Sequence, residues 1–275
     1  MSFYLIKHVT AVWILIVYLG LLSPVMAQQR IALVIGNSQY QHVATLQNPV
    51  NDARDMAATL RDLNFEVTLL RDASKLKMEQ TVAAFIQSLG DGDTGLFYYA
   101  GHGVQIEGDN YLVPIETLHG SEAAIKSQSF NISQLLSNMG HSHAQRNIII
   151  LDACRDNPFS GESSLYPEEK ARALKKKGHS EIKSGLSKLN APPNTLIAFA
   201  TAPGQVALDG VDGNSPYSQQ LMRFMKKSGL PIEHMFRQVR AEVMILTDGE
   251  QIPWESSSLI GSFYFKPRTS LPMGF

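Results

Sequence analysis

A single cysteine, Cys154, stands in 275 residues. That excludes an intramolecular disulfide framework and a cysteine-rich zinc module. An excess of charge of one sign is missing too. Twenty-four Lys and Arg against 25 Asp and Glu leave a formal net charge of −1, without the basic surplus of a dedicated nucleic-acid binder. Long apolar runs are scarce. The one from Ala11 to Leu22 covers 12 residues, short of the roughly 20 that a bilayer-spanning helix needs. Nothing comparable follows, so the rest reads as soluble. Gly (20) and Pro (13) occur at ordinary levels, which rules out collagen-like or broadly disordered chains. No internal repeat is visible. What remains is a chain 44% hydrophobic, long enough to bury the core of one large α/β domain or two small ones.

The N-terminus has the three-part layout of a secretory signal. Lys7 and His8 precede the apolar run, Pro24 follows it, and Val25-Met26-Ala27 places tolerated side chains before a cleavage site. Cleavage after Ala27 removes one Lys and no acid, which takes the net charge from −1 to −2. The expectation is export to the periplasm or medium, with an uncleaved membrane anchor as the alternative. A lone thiol in such an oxidising compartment is expected to be buried or used.

Beyond residue 27, apolar strands alternate with amphipathic helices. Arg30 to Gly36 is a continuous apolar run and reads as a buried strand. Asn48-Pro49 opens a helix that places Val50, Ala53, Met56, Ala57, Leu60 and Leu63 on one face. Phe65–Leu70, Gly95–Ala100, Asn147–Leu151 and Thr195–Ala200 read as further strands, and Ser262–Phe265 as the last. Helices are expected around Val82–Leu89, Ile132–Met139 and Ile232–Val243. Gly108-Asp109-Asn110 suggests a small hairpin outside the main sheet. Strands joined by helix-length connections imply a mostly parallel sheet of about six strands between helices, a three-layer α/β/α sandwich. Between Ser160 and Asn190 the pattern breaks. Seven Lys or Arg stand against four Glu, with no strand pattern. A stretch of this length inside a compact domain is usually functional or disordered. The expected organisation is a signal at 1–27, a domain at 28–265 and a tail at 266–275. Within the domain, 30–159 and 191–265 flank a linker at 160–190.

Two strand ends hold the candidate chemistry. One runs into Ala100-Gly101-His102-Gly103, the other into Asp152-Ala153-Cys154-Arg155-Asp156. Ligands of open parallel sheets bind outside the carboxyl ends of the strands. Consecutive strands are commonly neighbours, so His102 and Cys154 are expected to face each other. An imidazole beside a thiol favours the nucleophilic thiolate, and flanking glycines bring backbone N–H groups close to a substrate. Those are the parts of acyl transfer. A small buried hydrophobe is the plainer reading of a lone cysteine.

Tyr98-Tyr99-Ala100-Gly101-His102-Gly103 and Leu151-Asp152-Ala153-Cys154-Arg155 resemble the two catalytic segments of caspase-like cysteine peptidases, family C14. The caspase signature Q-A-C-[RQG]-G has its histidine about 50 residues upstream; here the separation is 52 and the string is D-A-C-R-D. Asp152 and Asp156 depart from true caspases and resemble the paracaspase, metacaspase and bacterial orthocaspase branches. The likeness extends from about Arg30 to Phe265 through Arg30-IALVIGNSQY, Asn51-DA, Thr195-LIAFATAPG and Pro253-WESSSLIGSFYF. It implies a caspase-like fold with Cys154 as nucleophile, His102 as general acid/base, and the backbone N–H groups of Gly103 and Cys154 as oxyanion hole. No third carboxylate is implied. Asp152 and Asp52 match acidic residues of the primary specificity pocket, which implies peptide substrates cut after Arg or Lys. The alternative is a non-catalytic caspase-like binding module. A thiol hydrolase acting on a non-peptide acyl group is disfavoured by the two acids.

Other signals are weaker. His141-Ser142-His143 reads as a polar loop, and Asn131 as a helix cap despite its glycosylation sequon. Asp209-Gly-Val-Asp212-Gly213 is acidic but lacks EF-hand spacing. No cofactor or metal is expected, with calcium dependence open, and neither nucleic acid nor a particular oligomeric state is implied. The basic linker is the expected place of self-cleavage, at Arg172 or Lys175-Lys176-Lys177.

Overall fold

The computed structural model describes residues 28–154, 158–159, 186–202, 205, 207–210 and 213–268, with Cys154 described by its backbone alone. The expected signal (1–27), linker residues 160–185 with the candidate cut sites, and residues 269–275 lie outside these. So do Arg155, Asp156 and Asp212.

The alternation of apolar strands and amphipathic helices gives a sheet between two helical layers. Strands β1 (Arg30–Gly36), β2 (Glu66–Arg71), β3 (Thr94–Ile106), β6 (Arg146–Cys154), β7 (Thr195–Phe199) and β8 (Trp254–Ser257) lie in the order β2-β1-β3-β6-β7-β8. All neighbours are parallel except β7 with β8. Consecutive side chains on the central strands serve opposite faces, because the pleat has a period of two. Ala32, Val34, Leu96, Tyr98, Ile148 and Ile150 pack with helices α1 (Pro49–Asp62), α5 (Pro216–Met225) and α6 (Ile232–Leu246). Leu33, Ile35, Phe97, Tyr99, Ile149 and Leu151 pack with α2 (Lys75–Ser88) and α4 (Ile132–Gly140). Gly36 lets α1 start hard against β1: a Cβ there would lie 2.4 Å from the Pro49 carbonyl oxygen and 2.6 Å from Ala53 Cβ.

Strand β3 belongs to two sheets. It follows β1 to Ala100 and β6 to His102, then pairs antiparallel with β4 (Asp109–Leu112) from Gly103 onward. The expected hairpin is therefore present, and it is built on a longer strand than the apolar run alone indicated. A third cluster packs around the hairpin, with Tyr40, Val104, Ile106, Tyr111, Val113 and Ile125. Two short elements escaped the sequence pattern: helix α3 (Glu122–Gln128) and the two-residue β5 (Phe130–Asn131).

The last strand is a correction. Phe263 and Phe265 do alternate into the core, but Ser262–Phe265 joins no sheet beyond one bridge between Tyr264 and Pro231. The Arg30 guanidinium takes the place of a partner strand. It donates to the carbonyls of Tyr264 at 2.9 Å and Phe265 at 2.7 Å, and it stacks over Phe65 and Phe263. The closing strand is instead Trp254–Ser257. Asn131 caps α4 through Oδ1, accepting from the N–H groups of Ser133 and Gln134. Among the described residues no helix is long and apolar enough to cross a membrane.

Candidate active site

The switch of β3 from the main sheet to the hairpin fixes the first pair of candidates. His102 and Cys154 are register partners on adjacent parallel strands, at the carboxyl end of the sheet. The preceding Gly101 has φ +149°, and a Cβ on it would lie 2.6 Å from Tyr40 Oη and 2.7 Å from Tyr99 Oη. Tyr40 uses that space. Its Oη accepts the His102 backbone N–H at 2.7 Å, and its ring lies 4.5 Å from the imidazole, centroid to centroid. Behind them the Tyr99 hydroxyl donates to the His102 carbonyl at 2.9 Å.

The imidazole itself is buried, and its Nε2 is 2.8 Å from the Ala44 carbonyl oxygen. A carbonyl only accepts, so Nε2 carries the hydrogen, and neutral His102 keeps its basic lone pair on Nδ1. The hairpin orients the next residue as well. Val113 N–H donates to the His102 carbonyl, which makes Gly103 opposite Leu112 a pair without mutual hydrogen bonds. The N–H of Gly103 therefore points away from β4.

The second pair comes from different elements. Asp152 continues the inward parity of Ile148 and Ile150 on β6 and so faces α1 and α5. Asp52 sits in the first turn of α1, where the helix dipole favours a negative charge. A first-turn carboxylate of this kind is commonly solvated. In the structure Asp52 is 1% exposed and Asp152 6%. The two are joined by the cap of α5. Ser215 donates its N–H to Asp52 Oδ1 at 3.0 Å and its hydroxyl to Asp152 Oδ2 at 2.5 Å. Asn214 Nδ2 adds a bond to Asp52 Oδ1 at 3.0 Å, and the Ser218 hydroxyl one to Asp152 Oδ2 at 2.7 Å.

No described cation offsets these charges. Burial, and then the Asp152 charge, push the Asp52 carboxyl up to about 8 against the pull of its bonds to Asn214 and Ser215. Burial also raises Asp152, to about 6, where the Ser215 and Ser218 hydroxyls hold it back. Asp209 raises both. Its Oδ2 accepts the Gln47 N–H at 2.9 Å, and its carbonyl accepts from Asn48 Nδ2. Asp209 is thus a third acid beside this pair, whereas in the sequence it stands out only as part of an acidic turn without EF-hand spacing. Among the described residues no group of His, Cys, Asp and Glu is arranged to hold a metal. His141 and His143 stand apart as exposed loop residues, bonded to the Ser137 carbonyl and to Asp91.

A sheet flanked by helices, with a His–Cys register pair at its carboxyl end, invites comparison with known proteins. The family profile of the caspase domain, peptidase family C14, matches residues 29–264. The chain belongs to the caspase-domain family. Human mucosa-associated lymphoid tissue lymphoma translocation protein 1 is 31% identical over 130 residues, and its mouse homolog is equally similar. Those matches cover 47% of this chain and only 15% of each relative. A crystal structure of a Geobacter sulfurreducens protein has the same fold, with a TM-score of 0.57 at 18% identity, covering 83% of this chain and 93% of that one. Membership of a peptidase family and the α/β/α arrangement follow from these matches. Four residues of this caspase domain's candidate site were not singled out from the sequence in these roles: Tyr40 beside His102, and Asp209, Asn214 and Ser215 around the acid pair. Only Ser215 had a legible signal, a serine directly before Pro216 at a helix start.

Proposed function

We propose that this caspase domain is an exported cysteine endopeptidase that cuts peptide bonds after Arg or Lys. The observation that carries the proposal is a buried carboxylate pair without a described cation, beside the His102–Cys154 register pair. Two buried carboxylates with no described cation beside them attract a cationic side chain and exclude an acidic one. A guanidinium can reach both at once, which favours Arg over Lys.

In the proposed reaction, His102 Nδ1 takes the Cys154 thiol proton while sulfur attacks the scissile carbonyl carbon. The N–H groups of Gly103 and Cys154 hold the resulting oxyanion. Imidazolium then returns the proton to the leaving amine, the C–N bond breaks and a thioester remains. Water, deprotonated by the same Nδ1, hydrolyses the thioester and frees the thiol. The Ala44 carbonyl keeps its bond to Nε2–H throughout and stabilises the imidazolium.

Profiling against a mixed peptide library tests this reading. Wild type is expected to cleave after Arg and Lys, and Cys154→Ala and His102→Ala to be inert while folded. Undiminished cleavage by a folded Cys154→Ala protein removes the enzyme assignment, and cleavage after Asp removes the Arg/Lys specificity. Export is tested by the N-terminal sequence of the mature protein, expected to begin at Gln28.

A further inference from the structure

Asp52 and Asp152 share Ser215 but are not equivalent. The Ser215 hydroxyl oxygen accepts the Ser218 N–H at 3.0 Å, so its own hydrogen is free to go to Asp152. The Ser218 hydroxyl also gives its hydrogen to Asp152 and so accepts from Tyr98 Oη, 2.6 Å away. The two hydroxyl contacts on Asp152 Oδ2, 2.5 and 2.7 Å, lie in the range of bonds to an ionised acceptor, about 2.5–2.7 Å. Asp152 therefore has the donor shell of a carboxylate anion. Asp52 has the poorer shell. Its two N–H donors are both 3.0 Å away and both on Oδ1, and no described residue bonds Oδ2.

Among the described titratable groups around the pair none is a cation free to offset a second negative charge, and the hydrogen bonding of Tyr98 favours ionisation of Asp152 rather than of Asp52. Asp209 comes from the loop before α5, and Tyr98 on β3 and Tyr217 on α5 are held neutral by burial. Asp55, one turn along α1, is held ionised by Arg54. Arg240 on α6, the cation acting on Tyr217, is already paired with Glu255. Adjacent buried carboxyls with no counter-ion cannot both stay ionised.

We propose that the empty pocket carries one proton, on Asp52, and that a basic substrate side chain enters in exchange for it. This rests on the Arg/Lys reading above and goes beyond it by making substrate binding a proton-release step. The guanidinium stays charged, because its own proton is not lost in proteins. The proton leaves Asp52 Oδ2 for the solvent, and the pocket with its substrate ends with the same net charge it began with. Selectivity gains from this. A neutral or acidic side chain cannot offset the ionisation of Asp52, which keeps its proton, and an acidic one also meets the Asp152 charge.

The test uses Cys154→Ala protein, which leaves the pocket acids in place, titrated calorimetrically with a peptide ending in Arg. Near pH 7, in buffers of different ionisation enthalpy, the heats are expected to reveal close to one proton released per site. Release is expected to fade above about pH 9, and affinity to rise about tenfold per pH unit below the Asp52 transition and then level. Binding with no buffer-dependent heat near pH 7 overturns the exchange while leaving the Arg/Lys reading intact. An Arg peptide that binds no better than its Ala analogue overturns the Arg/Lys reading, and the exchange with it. Asp52→Asn in the same background is expected to bind without release. Undiminished release there overturns the assignment to Asp52.

Discussion

Ser215 touches both pocket acids, its N–H 3.0 Å from Asp52 Oδ1 and its Oγ 2.5 Å from Asp152 Oδ2. One residue thus spaces two carboxylates from different layers, and it does so while capping α5. Ser215→Ala keeps the backbone bond and removes the hydroxyl. Losing the cap costs about 1 kcal/mol of stability. Losing a hydrogen bond to a charged group is worth about 1.5–3 kcal/mol, which corresponds to roughly 10- to 100-fold in affinity. The expected result is a KM for Arg peptides raised by about tenfold or more, a smaller Arg-over-Lys preference, and nearly unchanged kcat. Ser215→Thr is expected to restore most of the loss. A fall in kcat at unchanged KM contradicts the positioning role.

The raised carboxyl of Asp52 also makes a prediction about stability, and its sign is fixed by linkage. Unfolded Asp52 ionises near its ordinary value of 3.8, whereas folded Asp52 holds its proton up to about 8. Between those values the folded state binds more protons than the unfolded one, so stability falls as pH rises through that window. Asp52→Asn keeps the acceptor for Ser215 and Asn214 and removes the charge. It is expected to match wild type near pH 4 and to exceed it near pH 8, by an amount on the order of a few kcal/mol. It is also expected to lose activity on Arg peptides, a trade of function for stability. Denaturant melts of both proteins at the two pH values check this. An Asn variant less stable than wild type at pH 8 contradicts it.

The parts of this molecule legible in the sequence are those where local pattern and tertiary environment agree. The buried runs Arg30–Gly36 and Asn147–Leu151 have no polar side to satisfy before the strand ends. Their β-sheet identity followed from that, and the His102–Cys154 pairing followed from taking Gly95–Ala100 and Asn147–Leu151 as neighbouring strands. Strand β8 was not legible, because Trp-Glu-Ser-Ser lies on an open edge and has no apolar alternation. Phe263 and Phe265 have that alternation, but a distant arginine takes the backbone carbonyls that a strand partner needs. The pocket divides similarly. Asp152 is marked by its place before Cys154, whereas Asp209, Asn214 and Tyr40 reach the site through loops, where spacing carries no geometric information.

Gly101 is where the two sheets of β3 separate, and its φ of +149° is one that L side chains rarely adopt. A methyl group there meets the hydroxyls of Tyr40 and Tyr99, which also bond the backbone of His102. Gly101→Ala therefore displaces the imidazole as well as straining the chain. Strain of this kind costs about 1–3 kcal/mol. Thermal melts are expected to show that loss, and kcat to fall by about 100-fold, as misplacement by about 1 Å can cause. Full activity in a Gly101→Ala protein contradicts the close packing of His102 against Tyr40.

The basic stretch between Cys154 and β7 supplies the last prediction. Arg172 and Lys175-Lys176-Lys177 lie outside the described residues, but both flanks of the stretch are anchored beside the site. Phe159 packs in the hairpin cluster, and Leu186 is buried in the α2–α4 core, 3.1 Å from where a Cβ on Gly103 would sit. Ser187 then exchanges bonds with Asn110 on β4, at 2.6 and 2.9 Å, and its hydroxyl donates to the Gly108 carbonyl. With its described flanks packed near His102, and rich in the residue types that the proposed specificity takes, the stretch is the expected substrate of the proposed activity, in the same molecule or a neighbour. The fragments are expected to stay together, because β6 and β7 are hydrogen-bonded from Asn147–Thr195 to Leu151–Phe199. Purified wild type is expected to show a nick within 172–188 on a denaturing gel while eluting as one species under native conditions. Cys154→Ala prepared identically is expected to stay whole. Equal nicking of both proteins assigns the cut to a contaminating protease and rules out self-processing, since no thiol chemistry remains in the variant to perform it.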